Sequence, residues 1–301
     1  MTREGQVVGW EESAVSLYLI KGQYRIVRSQ PDGDSVHFFP GAPDAFTRLH
    51  LDVRLGAGGA AQLRLDAIDA LETHYTPPGH GGHTLHQPLE LAHAAGARLL
   101  ALLGFSDVVR KGEVVTSASP DATPGYILTR FGDKYGRPVS FAFAGDIDRP
   151  DLEPVFTDSA LLKTSVNHRL TAEGLVYPTF YSKLYPDLRA TLTEAADAAR
   201  EAKAGVWGPD ATTSGASIHA QEDLSERLVI MPKLFRRLAE YYALAPGDPS
   251  LAGFPSYMAT LNDRLYVISD AHATGFDTVV EVAGDTVRLT KPITDLIFME
   301  G

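Results

Sequence analysis

The chain has 301 residues, of which 44% are apolar and 22% charged, proportions of a folded globular protein with one large domain or two ordinary ones. It has no cysteine, which excludes disulfides and thiolate metal sites, and no apolar run near the ~18 residues a membrane helix needs. The formal charge of −11 argues against a broad basic face: residues 21–208 carry 19 Lys+Arg against 22 Asp+Glu, and residues 209–301 carry 7 against 13.

Residues 1–20 read as an N-terminal extension. They show mixed charge and no apolar leader core, so the expectation is a cytoplasmic protein as written, or a secreted one if a leader has been removed. Apolar runs ending at Ile20 and at Val27 read as strands. Asp32-Gly33 signals a tight turn before Ser35 to Phe39, another strand. Residues 49–55 alternate well enough for a further strand. A Gly-rich turn at 56–59 precedes one more over 62–68. Residues 88–103 carry an apolar stripe at helical spacing (Leu89, Ala92, Leu99, Leu100, Leu103). Strands are expected over 113–117, 125–130 and 139–144, and helices over 159–173 and 187–203, each closed by a glycine, Gly174 and Gly205. Short strands with packed helices predict an α+β, mainly β fold: a five-stranded OB-type barrel over residues 21–210. The polar stretch 211–217 reads as a linker to an acidic α+β module over 218–301. In that module a strand is expected over 227–231, a helix over 233–243, a loop over 244–255, and strands over 265–269, 278–282, 286–289 and 296–299.

Three separated segments carry chemistry: Asp32-Gly33-Asp34, the stretch from Arg64 through Asp69 to Glu72, and Asp133-Lys134-Tyr135-Gly136-Arg137. They supply paired carboxylates, an extra acid and two arginines. Hydrolysis of an anionic phosphodiester needs charge neutralised at the phosphate, a positioned water and a group to take its proton. Asp34 and Asp69 offer hard oxygen ligands, and Glu72 can act on water. Arg64 and Arg137 can grip phosphate with the planar guanidinium fork. Each also has a plain alternative: a turn aspartate, a strand-end acid, a surface arginine, a hairpin charge. Strict alternation along a strand would put Arg64 and Asp69 on opposite faces, so a shared site requires the chain to leave the strand between them. Lys134 and Tyr135 stand where a nucleotide could be held. His74, His80, His83 and His86 fall in a Gly/Pro-rich loop after Glu72, which reads as a substrate-facing lid or, with non-standard spacing, a zinc site.

In their order, these segments resemble the staphylococcal-nuclease (thermonuclease-like) family. The resemblance extends through Asn167 to Gly174-Leu175 and through the Ala-rich stretch into Gly205-Val206-Trp207, covering roughly residues 21–210. It implies the OB-type barrel and Ca²⁺-dependent cleavage of DNA or RNA that breaks the 5′ P–O bond and leaves a 3′-phosphate. Asp34, Asp69 and the Ala70 carbonyl would hold the Ca²⁺, with Mg²⁺ or another divalent ion as a substitute. Glu72 would orient or deprotonate the water, and Arg64 and Arg137 would stabilise the transition state. The chain departs from the family at Ala70, where a hydroxyl residue is usual, and at Leu71, where proline is usual. Tyr177, Phe180 and Tyr181 occupy the neighbourhood of the family's tyrosines without a clean register. Two other readings are a non-catalytic binding module on the same barrel and an interaction protein whose acidic C-terminal module docks a partner or a second copy.

Overall fold

The computed structural model describes residues 16–78 and 84–300. Strands β1 (Ser16–Tyr24), β2 (Ser35–Pro40) and β3 (Ala61–Leu65) are followed by the two-residue β4 (Ile68–Asp69), with a short helix α1 (Ala45–Arg48) between β2 and β3. Helix α2 (Leu89–Leu102) leads to a hairpin, β5 (Ser106–Lys111) and β6 (Val114–Ser119), and then to β7 (Thr123–Gly132), β8 (Pro138–Ala144) and β9 (Pro154–Phe156). Five strands close on one another in the order β1-β2-β3-β8-β7, because β1 pairs with both β2 and β7. The β3–β8 contact is parallel and the other four are antiparallel. The fold is thus a closed five-stranded barrel with packed helices, a mixed α+β structure.

Both faces of the barrel wall are covered. Ile20, Ile127 and Ala142 point into the core with Phe38, Leu63 and Leu65. Their neighbours Leu19, Leu128, Phe141 and Phe143 face outward, where Leu184, Leu188 and Leu192 cover them. Period-two alternation therefore carries apolar residues on both sides, and the strands read as continuous apolar runs.

The expected strand over 49–55 is corrected. α1 ends there, His50 takes a positive φ of 55°, and the chain continues without a ladder apart from a single bridge, Leu55 to Ala61. Leu49, Leu51 and Val53 still pack on the core, which produces the alternation. The backbone bonds go elsewhere: the Leu51 N–H to Phe46 and the Arg54 N–H to Gly136. The expected helix over 159–173 is two helices, α3 (Ser159–Leu162) and α4 (Val166–Ala172). Ser165 divides them, its hydroxyl donating to the Leu162 carbonyl and accepting the His168 N–H. Residues 16–20, expected in an extension, belong to barrel strand β1.

The C-terminal third is woven into the rest. β10 (Tyr177–Pro178) pairs with β4, and β11 (Phe180–Tyr181) precedes α5 (Pro186–Glu201). Beyond come β12 (Ala216–Ser217), α6 (Asp223–Glu226), α7 (Pro232–Leu244), α8 (Phe254–Thr260) and β13 (Arg264–Val267). β14 (His272–Gly275), β15 (Val280–Ala283), β16 (Thr286–Leu289) and β17 (Leu296–Phe298) complete the chain. β17 pairs in parallel with β11, and one apolar cluster joins Leu71, Ala92, Tyr177, Val206 and Trp207 to Leu234, Phe235, Leu238 and Phe298.

The expected linker is also corrected. Thr212 and Ala216 are buried, the Thr212 hydroxyl bonds Asp210 and accepts the Met231 N–H, and β12 pairs with β16. The Thr212 hydroxyl serves buried backbone, while Thr213 and Ser214 stay exposed. In place of the expected strand over 227–231, Arg227 is exposed and residues 228–231 are a buried run with one bridge, Val229 to Asp210. α8 and β14 had no expectation. Among the described residues no helix is long and apolar enough to cross a membrane. A chain ending at Asp210 would bare Tyr177, Trp207 and Leu71 to water. It is expected to lose cooperative unfolding and to bind a hydrophobic dye, checked by urea denaturation against the full chain.

Candidate functional site

The site is built where β2 begins and β3 ends. The Asp32 carboxylate accepts the N–H groups of Asp34 (3.2 Å) and Ser35 (2.8 Å), an Asx turn that sets Asp34 immediately before the strand's first residue. Gly33 permits this turn to lie against the barrel end. A Cβ there would come within 2.5 Å of the Ala70 Cβ and 2.7 Å of the Ala95 Cβ. The Ala70 N–H donates to the Asp34 carboxylate at 3.0 Å.

The parity problem is solved by a turn. After β3, Asp66 and Ala67 reverse the chain, with Ala67 at φ 67°, and β4 then delivers Asp69. Arg64 and Asp69 thereby become electrostatic neighbours. Burial opposes the charge on Arg64, but Tyr181, Asp69, Asp66 and Asp34 outweigh it and raise its pKa. The Arg64 guanidinium stacks on the Tyr181 ring, 4.5 Å from its centroid.

Glu72 is tied on its other side to the C-terminal third. The Gln87 N–H donates to the Glu72 carbonyl (2.8 Å), and the Gln87 side chain accepts the Glu72 N–H (3.3 Å) while donating to the Ile230 carbonyl (2.8 Å). The residue that sequence reasoning missed stands on α7. Arg236 donates to both Asp69 oxygens (3.1 and 2.8 Å) and to Glu72 (2.6 Å). Its side chain is 25% exposed, against 9% for Asp69 and 19% for Glu72. Lys233, Arg236, Arg237 and Glu240 recur at helical spacing and read in sequence as one solvated face. Nothing local pointed across 167 positions to Asp69.

Four carboxylates thus lie close together. Burial raises the Asp34 pKa well above the usual carboxylate range, and Asp32, Asp69 and Glu72 add to it, with the Ala70 N–H opposing. Glu72 is also raised, by burial first, with Arg236 pulling it down and Asp69 and Asp32 pushing it up. Arg236 is held charged by Asp69 and Glu72 despite its own burial.

Arg137, Lys134 and Tyr135 form a separate group on the β7–β8 turn. Arg137 pairs with Asp133 through Nε (2.8 Å) and Nη2 (2.7 Å), and Asp133 also accepts the Tyr135 and Arg137 N–H groups. Tyr135 is 62% exposed, with Lys134 Nζ 5.4 Å and Arg137 5.5 Å from its ring centroid. No hydrogen bond or ion pair among the described residues joins this group to the acids, although Arg64 pairs with Val139, two residues beyond Arg137. Tyr177 is the register partner of Asp69, but its ring is buried against Trp207 and its hydroxyl bonds Asp210. His74 bonds Thr73 and His86 bonds the Gln87 carbonyl, while His80 and His83 lie outside the described residues. Among the described residues no three His, Cys, Asp or Glu side chains are gathered as a metal-ligand set. No family model matches this chain, and no curated protein matches it.

Two variants test this geometry. Gly33→Ala is expected to cost about 1–3 kcal/mol of unfolding free energy by denaturant titration, since the new methyl meets two others. Asp66, in the turn itself, has its pKa pushed up to about 6, by burial first, with Arg64 and the Ala67 N–H opposing. The folded chain then holds more protons than the unfolded one between about pH 4 and 6, and stability falls as pH rises through that window. Asp66→Asn should remove this loss, so its advantage in urea midpoint should be larger at pH 7.5 than at pH 4.

Proposed function

We propose that this protein is a divalent-cation-dependent phosphodiesterase that hydrolyses DNA, RNA or both, on a barrel of the OB type and in the manner of the staphylococcal-nuclease family. The observation that carries this reading is the mutual proximity of Asp34, Asp69 and Glu72 beside Arg64 at one end of the barrel. The strand order, with its single parallel contact between β3 and β8, supports the OB-type assignment.

Asp34, Asp69 and the Ala70 carbonyl would hold the ion. They form an oxygen-only set, the chemistry that Ca²⁺ and Mg²⁺ favour. The balance of charge fits as well: no ion pair among the described residues reaches Asp34, although three carboxylates surround it. A bound ion would neutralise phosphate charge and acidify water.

The chain's own residues supply the rest. Glu72 is partly exposed and its pKa is raised, which makes it a stronger proton acceptor toward water than an ordinary carboxylate. Arg64 is held charged beside the acids, ready for a phosphate oxygen. Arg137, 32% exposed, would reach substrate by exchanging Asp133 for phosphate. Tyr135 offers an exposed ring for stacking on a base, and Lys134 a charge beside it. With a net charge of −11, affinity would come from this local set rather than from a basic face.

The competing reading, a binding module without catalysis, has one observation in its favour: Arg236 already bonds two of the three acids. Digestion of plasmid DNA and of RNA in Ca²⁺, Mg²⁺ or EDTA separates the two. Cleavage is expected with a divalent ion and its loss in EDTA, with 3′-phosphate ends on the products; equal cleavage in excess EDTA overturns the proposal. Glu72→Gln and Arg64→Ala should each lower turnover by on the order of a hundredfold or more, measured as initial rates. The wild-type rate should rise with pH through the elevated Glu72 value, and Glu72→Gln should lack that rise.

A further inference from the structure

Arg236 lies outside the three segments that carry the site chemistry, yet it makes the strongest contacts of the acid cluster. Its helix is fixed: Leu234, Phe235 and Leu238 are fully buried in the cluster shared with the barrel side of the chain. The next residue, Arg237, turns away to Asp263 (2.5 Å) and Glu240 (2.6 Å), so one guanidinium alone is directed at Asp69 and Glu72. That guanidinium spends one charge on two carboxylates and occupies both Asp69 oxygens. Its 25% exposure leaves a solvent side into which a long flexible side chain can swing without moving α7.

These contacts have an electrostatic consequence. Clustered carboxylates at the edge of a folded core need a counter-cation, and in its absence they resist folding or take up protons. Arg236 is that cation for Asp69 and Glu72. Asp69 is also a proposed ligand of the divalent ion, and a carboxylate whose two oxygens are engaged by a fork gives up attraction to a second cation. We propose that Arg236 is an internal cation that competes with the divalent ion for Asp69 while it holds Glu72, so that the C-terminal third of the chain sets the cation affinity of the site. This rests on the cation-site reading above. It makes Arg236 a positioning residue: on ion binding its fork is released from Asp69, and Glu72 is freed to meet water.

The test is calcium binding to the full chain by titration calorimetry, with thermal unfolding in EDTA and in calcium as a second readout. Arg236→Met removes the competitor. It is expected to bind calcium about tenfold more tightly than wild type or better, to unfold at lower temperature in EDTA, and to gain more from calcium than wild type gains. A purely structural role for Arg236 would lower stability equally in both buffers. If wild type binds calcium and Arg236→Met binds it no more tightly, the competition is overturned while the cation site stands. If both proteins are folded and neither binds calcium, the cation-site reading fails and the competition with it. Should Arg236→Met fail to fold even in calcium, Arg236→Lys decides. A single ammonium cannot span both carboxylates, so calcium must still bind more tightly than to wild type, and equal affinity overturns the proposal.

Discussion

The constraint on which the rest depends is the crowding of Asp32, Asp34, Asp69 and Glu72 at one end of the barrel. Like charges about 4 Å apart repel by about 1 kcal/mol in water and about 4 kcal/mol at the effective dielectric near a protein surface. A fold that places four acids there must supply compensation, and the structure shows three forms of it. Backbone N–H groups serve Asp32 and Asp34. Arg64 stands beside Asp34 and Asp69, and Arg236 bonds Asp69 and Glu72. The compensation is uneven, since the guanidinium fork goes to one pair and leaves Asp34 with a single amide bond and a strongly raised pKa. This asymmetry is a stronger argument for a cation than the motif itself.

What was legible in the sequence was local. Asp32-Gly33-Asp34 forms its turn with bonds two and three residues long. The strands expected at 35–39 and 139–144 and the helix at 88–103 form there, and the one expected over 62–68 forms as far as Leu65 before the chain turns. The break between Arg64 and Asp69 could be required from parity alone, because a pleated strand cannot present both to one side. What failed was non-local. Residues 49–55 alternate because three side chains anchor to the barrel, although the backbone hydrogen bonds of Leu51 and Arg54 run to Phe46 and Gly136 instead of a ladder. The polar run at 211–217 resembles a linker, yet the Thr212 hydroxyl in it is needed by the buried backbone at Met231 and by Asp210. Polarity in sequence cannot distinguish a residue that serves water from one that serves a buried amide.

Net charge misleads in the same way. The last 93 residues carry an acid excess, which read alone suggests an appendage that repels phosphate. Arg236, one of the 7 cations in that stretch, acts at the acids by position rather than by the sum. Several acids of that stretch are engaged locally. Asp263 and Glu240 bind Arg237, Asp223 binds Arg227, and Glu281 binds Arg288. A screened long-range field is therefore a small influence on the site compared with one contact at 2.6 Å.

That contact would link folding to the proposed ion binding. Asp69 is held by β4 pairing with β10, and β11, two residues past β10, pairs with the final strand, β17. Gln87 joins Glu72 to Ile230, next to the start of α7, whose apolar face is locked into the shared core. Loosening the C-terminal third would withdraw Arg236 from the acids and slacken the strand pair that carries Asp69 in the same event. Loss of the internal cation and loss of the site's geometry are thus opposed in their effect on affinity: the first frees carboxylate oxygens, the second scatters them. A side-chain swing separates the two, releasing the fork while the strands stay paired. The partly exposed arginine on a fixed helix is the arrangement that permits it.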